Sequence, residues 1–335
     1  MRYLVTGGAG FIGCNYVRQL LAGHAACRVR VFDKLTYAGS LDNLADLQDD
    51  PRSENRLEFV RGDICDPTAV AAALDDVQVV VHFAAETHVD RSIHSAEAAV
   101  RTNIEGTFRL LEACRDRPLH RFIQVATDEV YGSSASERFT EESVLQPRNP
   151  YSASKAGGDR LAYSYFVTYQ VPVLITRPTN TYGPYQYPEK LIPFFVLKAL
   201  RDEHLPVYGD GRQVRDWLHV SDHCRAVDLL IERGTVGEVY NIVGGHEREN
   251  MQVIRLILEE LGKPESLIKH VADRPGHDIR YPLADDKIKA LGWSPTVAWE
   301  QGMRETIRWF ADHREWLERS LERGREFMEQ WYRGR

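Results

Sequence analysis

Val5-Thr6-Gly7-Gly8-Ala9-Gly10-Phe11-Ile12-Gly13 stands between a short apolar run, Tyr3 to Thr6, and a segment with helical periodicity, Phe11 to Ala22. A glycine triplet alone is a weak signal, but here it falls where a strand hands over to a helix. Gly7 permits the tight turn, Gly10 lets backbone approach a pyrophosphate, and Gly13 lets the helix pack closely on the strand. The first helical turn, with Phe11 and Ile12, then offers unpaired N–H groups and the positive end of the helix dipole to phosphates. Asp33 stands twenty residues beyond Gly13, at the end of the next strand, followed by Lys34. A carboxylate there accepts hydrogen bonds from an adenosine ribose and repels a 2′-phosphate, which selects NAD over NADP. Gly62-Asp63-Ile64 follows the third strand. Asp63 either lies near the adenine or caps the following helix.

Outward from this motif, short β-branched runs recur at Val29 to Phe32, Leu57 to Val60, Val77 to Phe83, Phe122 to Ala126 and Val173 to Thr176. Helical patterns separate them, among them Ala69 to Leu74, Ala96 to Arg115 and Tyr151 to Tyr169. Strand then helix, repeated, predicts an α/β fold: a Rossmann-type, doubly wound parallel sheet with right-handed crossovers. Ser133 to Pro150 reads as a loop. After Arg177, Pro178, Gly183, Pro184, Pro188, Pro193 and Pro206 break the pattern and Tyr182, Tyr185 and Tyr187 cluster, as loops that build a pocket. A last strand, Glu238 to Val243, returns to the sheet. The expected organisation is a dinucleotide-binding domain over 1–177 plus about 214–245. A smaller, discontinuous α/β substrate lobe takes 178–213 plus 246–312, and a helical tail takes 313–335. Trp299, Met303, Ile307, Phe310, Trp316, Leu317, Leu321 and Phe327 recur at roughly helical spacing, as in packing helices with a solvated face.

The chain has 335 residues, 43% hydrophobic and 27% charged, which is enough for a full core and excludes disordered and fibrous classes. With 42 basic and 49 acidic residues the net charge is −7, which argues against a polyanion such as nucleic acid as partner. The longest apolar runs, Val77 to Ala85 and Leu191 to Leu200, are interrupted and fall short of the roughly 20 residues of a membrane span. Met1 to Gly8 runs directly into the first strand without a basic-then-apolar leader, so a cytoplasmic location is expected. Cys14, Cys27, Cys65, Cys114 and Cys224 are odd in number and widely spaced, which predicts reduced thiols rather than disulfides or zinc. His219 and His223 have i, i+4 spacing, but Ser221 or Asp222 is expected to cap a helix that His219 precedes, so no metal site is expected.

Tyr151 and Lys155 are four residues apart, which puts phenol and ammonium on one helical face. Lowering a tyrosine pKa from near 10 by about three units takes roughly 4 kcal/mol, which Lys155 and a cationic nicotinamide together can supply. With the glycine turn, this Y-x-x-x-K pattern resembles the extended short-chain dehydrogenase/reductase superfamily over nearly the whole chain. Thr127 matches its Ser/Thr, which hydrogen-bonds the reacting oxygen. Thr127-Asp128-Glu129-Val130-Tyr131-Gly132 resembles the signature of the nucleotide-sugar 4,6-dehydratase branch. Further blocks similar to the dTDP-glucose 4,6-dehydratases are Phe32 to Gly39, Ala85 to Ser92, Tyr182 to Gln186, Glu189 to Pro193 and Arg215 to Val220.

The resemblance implies NAD-dependent removal of water from a nucleotide-activated hexose, dTDP-glucose by family analogy, to give a 4-keto-6-deoxy sugar. Tyr151 is the expected base for oxidation at C4, which acidifies the C5 proton. Glu129 then abstracts that proton, a protonated Asp128 gives its own to the departing C6 hydroxyl, and the hydride returns to C6. Ala84, Ala85 and Thr87 are expected beside the cofactor, with Thr87 and His88 near the sugar. Asn180, Arg215 and Asn250 are expected on the diphosphate, together with Lys190 and Arg212 as available cations. Tyr208 is expected to stack on the base, and His277 to lie on the substrate side. Thr181 stands where the family often has Asn, and Ala126 where Ser is common. Relatives form homodimers through a four-helix bundle of the Ala96 to Arg115 and Tyr151 to Tyr169 helices. A sugar-nucleotide 4-epimerase and a non-catalytic NAD(H)-sensing regulator are the alternatives on the same fold.

Overall fold

A computed structural model describes residues 1–273 and 278–324. In chain order the strands are β1 (Arg2–Thr6), β2 (Arg28–Asp33), β3 (Leu57–Arg61), β4 (Val79–His82), β5 (Arg121–Val125) and β6 (Val173–Pro178). They continue with β7 (Asn180–Tyr182), β8 (Leu205–Tyr208), β9 (Val214–His219), β10 (Val239–Ile242), β11 (Glu247–Glu249) and β12 (Ile268–Val271). The main sheet has seven strands in the order β10-β6-β5-β4-β1-β2-β3, all parallel. Its strand order reverses between β1 and β4, and the crevice beyond their carboxyl ends is where such sheets bind ligands. Strand interiors such as Val79-Val80-Val81 are fully buried on both faces, as expected of a sheet covered by helices.

The helix Phe11–Gly23 packs beside Val220–Arg233 over one face of the sheet, while Thr107–Cys114 and Pro150–Tyr169 pack together on the other. The run expected as one helix from Ala96 to Arg115 is helical from Glu97 to Cys114, but its middle, Arg101–Gly106, is wound more widely as a π-helix. Such a bulge commonly marks a functional segment, and this one carries Asn103. Its amide donates to the Glu86 carbonyl (3.0 Å) and to Ser154 Oγ (2.8 Å). All five cysteines are unpaired.

The second layer of structure holds a three-stranded sheet, β11-β9-β7, and the pair β12-β8. Around them pack the helices Leu191–Leu200, Asn250–Glu260 and Trp299–Asp312, with an apolar core that includes Phe195, Ile257, Ile307 and Trp316. The residues expected from 214 onward in the dinucleotide-binding part divide at His219. Strand β9 pairs outside the seven-stranded sheet, whereas the helix after it packs upon that sheet. His219 is itself the cap of that helix: its ring accepts from the Ser221 N–H at 3.3 Å, so neither Ser221 nor Asp222 holds that position. Asp222 instead accepts from the Thr296 and Val297 N–H groups, both at 3.0 Å. Among the described residues no cluster of metal-ligating side chains forms, and no helix is long and apolar enough to cross a membrane. Phe327 lies outside the described residues.

Candidate active site

A cleft opens at the carboxyl ends of β1, β2, β4 and β5, and the glycine turn forms its floor. Gly7 has φ +68°, and a Cβ on it would lie 2.6 Å from the Ala84 nitrogen. On Gly13 it would lie 2.3 Å from the Gly7 carbonyl oxygen, so both positions exclude any side chain. Gly10 caps the first helix in extended conformation without a side-chain acceptor. The N–H groups of Phe11, Ile12 and Gly13 therefore have no intrahelical partner and stand available to an anion.

Asp33 is buried at the end of β2, accepting from the N–H of Ala9 (3.0 Å) and of Leu35 (2.8 Å). Burial raises its pKa, and those two N–H groups act against the rise. Lys34 pairs with Asp63 at 2.7 Å, and Asp63 also accepts from the Cys65 N–H at 2.9 Å. The helix that follows is capped by Asp66, not Asp63, which leaves the Asp63 carboxylate at the cleft. Ile64, Ala84, Ala85 and Thr87 line the same cleft. A cradle that side chains would fill, free amides at a helix start and a carboxylate at the second strand together fit a dinucleotide.

Thr127, at the end of β5, caps a single turn, Asp128–Tyr131, and so delivers two adjacent carboxyls to the cleft. Thr127 Oγ donates to Asp128 Oδ1 at 3.2 Å. Asp128 is buried, and burial first, with the Glu129 charge second, raises its pKa well above the carboxylate range against the pull of Arg215. Glu129 is held from the start of the next helix: the Asn149 amide donates to Glu129 Oε2 at 3.3 Å. The same Asn149 caps the helix Pro150–Tyr169, its Oδ1 accepting from the Ser152 N–H at 2.8 Å in a reciprocal capping box.

That helix brings Tyr151 and Lys155 to the cleft, both buried. Lys155 Nζ donates to the Val125 carbonyl at 2.6 Å, and burial lowers its pKa to about 8 against the opposing charge of Asp159. Burial, with Glu129 adding to it, raises the Tyr151 pKa while Thr127 lowers it. The lowering of Tyr151 expected from Lys155 is thus not delivered by the side chains alone, because Lys155 is engaged with backbone and the phenol faces two carboxyls.

A second cavity shares Glu129, Asn180 and Lys190 with the cleft and continues into the smaller lobe past His88, Tyr208, Arg215 and Asn250. Asn180 Oδ1 and Asn250 Oδ1 are buried without a partner among the described residues, a costly state that a polar ligand would relieve. Arg215 is anchored by backbone, donating to the carbonyls of Val214 (2.7 Å), Asp278 (3.0 Å) and Ile279 (3.2 Å). Lys190 donates to the Thr87 carbonyl at 2.8 Å, and Tyr208 to Asp90 Oδ2 at 3.4 Å. His88 meets the Glu189 carbonyl at 3.3 Å. Arg212 is exposed beside Asp210 (3.7 Å) and lines neither cavity, and His277 lies outside the described residues. Sequence reasoning missed Asp90, Glu189, Phe194, Gln213 and Tyr281 on the second cavity. Asp90 and Glu189 stood inside recognised blocks, but Tyr281 comes from a distant loop with no local signal.

A family model for GDP-mannose 4,6 dehydratase matches residues 4–306. The dTDP-glucose 4,6-dehydratase of Streptomyces niveus is 50% identical over 323 residues, covering 95% of each chain. Among solved structures, DesIV of Streptomyces venezuelae, a dTDP-glucose 4,6-dehydratase with NAD bound, is 50% identical. It superposes with a TM-score of 0.92 over 96% of this chain and 100% of its own. The UDP-glucuronic acid 4-epimerase of Bacillus cereus also superposes, with TM-score 0.87 over 93% of this chain and 100% of its own, at 30% identity. Near-complete coverage at half identity, on a cleft built as described, is family membership: the chain belongs to the GDP-mannose 4,6 dehydratase family, on the branch of the dTDP-glucose 4,6-dehydratases.

Proposed function

We propose that the chain catalyses NAD-dependent dehydration of dTDP-glucose to the 4-keto-6-deoxy sugar nucleotide. The observation that carries this reading is the unlike pair Asp128 and Glu129 in the cleft with Tyr151, the first buried with its pKa raised, the second hydrogen-bonded to the Asn149 amide. Bound NAD supplies the hydride acceptor for C4 oxidation and the donor for reduction at C6, so it ends the cycle unchanged. Tyr151 takes the C4 hydroxyl proton while Thr127 hydrogen-bonds that oxygen. Glu129 removes the C5 proton, Asp128 protonates the C6 hydroxyl, which leaves as water, and the hydride returned to C6 is matched by a solvent-exchangeable proton that Glu129 gives back to C5. Lys155 stands one helical turn from Tyr151 and is held by the Val125 carbonyl, and the cationic nicotinamide of bound NAD⁺ would add the positive charge that favours the phenolate. Asn180, Lys190, Arg215 and Asn250 hold the diphosphate side, with Tyr208 at the base, while Gly7 to Gly13, Asp33, Lys34 and Asp63 hold the cofactor.

In this reading residues 1–177, the helix Val220–Arg233 and β10 form the NAD-binding part, and 178–219 with 246–312 the sugar-nucleotide lobe. The 4-epimerase alternative shares fold and C4 chemistry but needs no acid for a leaving C6 hydroxyl. A sensing role has no use for the intact Tyr151 and Lys155. Homodimerisation is part of the proposal, supported by Val100, Tyr163, Val167 and Tyr169, exposed large hydrophobics on the two helices in question. Five unpaired cysteines suit a reducing cytoplasm.

Incubation with dTDP-, UDP- and CDP-glucose in D₂O tests the activity. The expected result is a 4-keto product from dTDP-glucose carrying deuterium at C5. A 4-epimer, or a product without C5 label, overturns it.

A further inference from the structure

The loop after β2 is tied to the glycine turn by one buried side chain. Asn43 is 1% exposed, and its Nδ2 donates to the Ala9 carbonyl at 2.8 Å. That carbonyl also accepts from the Ser40 N–H at 3.0 Å. The Ala9 N–H in turn donates to Asp33 Oδ2 at 3.0 Å. Asn43 therefore acts on Ala9, whose carbonyl belongs to the peptide leading to Gly10 and whose N–H, in the preceding peptide, holds the Asp33 carboxylate.

What holds Asn43 comes from the far end of the chain. Trp316, on the helix Arg314–Glu322, donates its indole N–H to Asn43 Oδ1 at 2.9 Å. Its ring is fixed by Tyr185 (centroids 5.8 Å apart) and Trp309 (5.4 Å), both packed against the core of the smaller lobe. The same helix also lays Arg319 and Arg323 near Asp42, at 3.8 and 3.9 Å. These exposed pairs contribute little, whereas the indole contact is buried.

We propose that Trp316 and Asn43 are positioning residues for the dinucleotide. Through them the helix Arg314–Glu322, packed on the core of the smaller lobe, sets Ala9 and the two peptides that flank it, and with them the glycine turn and Asp33. The inference deepens the reading of the cleft as an NAD site and rests on it. Removing the indole N–H leaves a buried amide oxygen unpaired, so the Asn43 side chain turns toward another donor and releases the Ala9 carbonyl.

The test uses the full-length chain stripped of cofactor, with NAD⁺ and dTDP as separate probes. Binding of NAD⁺ by the wild type tests the reading of the cleft, and the ratio of variant to wild type tests the pair. Trp316→Phe keeps a ring in the aromatic cluster and removes only the donor. It is expected to weaken NAD⁺ binding about tenfold, with dTDP binding within twofold of wild type and kcat at saturating NAD⁺ retained. Asn43→Asp keeps an acceptor for the indole but loses the donor to Ala9, and is expected to weaken NAD⁺ binding at least as much. Arg319→Ala, on the same helix, is expected to leave NAD⁺ binding unchanged. Wild-type NAD⁺ affinity in Trp316→Phe overturns the proposal, as does an equal loss for NAD⁺ and dTDP, which would report a loosened fold.

Discussion

Asp128 and Glu129 are neighbours in sequence yet meet different surroundings, one buried and hydrogen-bonded by Thr127, the other reaching the Asn149 amide. In the unfolded chain the Asp128 carboxyl loses its proton near pH 4, while in the native chain burial keeps it to higher pH. Its contribution to stability is therefore full below about pH 4 and is lost as pH rises toward the native value. Asp128→Asn should flatten that dependence, visible in urea midpoints from pH 4 to 8, while lowering dehydration about 100-fold. Glu129→Gln should behave differently: C4 oxidation, followed by absorbance of the reduced cofactor, continues, while deuterium entry at C5 falls by about 100-fold or more. Full dehydratase activity in Glu129→Gln would place the base elsewhere.

At the scale of the element, the helix Pro150–Tyr169 owes both its start and its catalytic alignment to Asn149. The sequence shows a loop ending in Arg148-Asn149-Pro150, and Asn before Pro is a recognisable helix entry. It does not show that the cap's amide also holds Glu129, because that contact spans a fold rather than a turn. Asn149→Ala should cost about 1 kcal/mol of stability through the lost cap and slow the C5 step as well. Asn149→Ser keeps an acceptor for the cap but cannot reach Glu129. Recovered stability with C5 exchange still slow is the expected outcome, measured by urea unfolding and deuterium incorporation. Recovery of both would make the cap alone responsible.

For the whole molecule, buried histidines set the response to acid. His82 links Thr6 of the neighbouring strand (2.7 Å) to Thr107 of the helix Thr107–Cys114 (3.1 Å), and His223 meets Thr181 (3.1 Å); burial lowers the pKa of each to about 3. Both take up protons near pH 6.5 only when the chain unfolds, so their contribution is full above that pH and is lost as pH falls toward 3. Each costs about 1.4 kcal/mol per pH unit in that window. Buried carboxyls with raised pKa, among them Asp33, Glu86, Glu189 and Asp216, respond in the opposite sense. The informative quantity is therefore a difference: His82→Gln should lose stability less steeply than the parent between pH 6.5 and 4. Parallel curves would mean that His82 is charged in the native state.

By itself the sequence determined the strands of the sheet, the glycine turn, Asp33 and the Tyr151/Lys155 pair, since strand and helix periodicity, turn residues and i, i+4 spacing are local patterns that follow physical rules. Strand ends moved by a residue or two, and the π-helical turn at Arg101 and the cap at His219 escaped notice, because side-chain hydrogen bonds decide them. Tertiary structure alone decided what crosses the chain: Asn149 on Glu129, Tyr281 beside the second cavity, and Trp316 on Asn43. It also decided that Tyr151 and Asp128 sit above their ordinary pKa values, since burial is a property of the packed fold and not of any stretch of sequence.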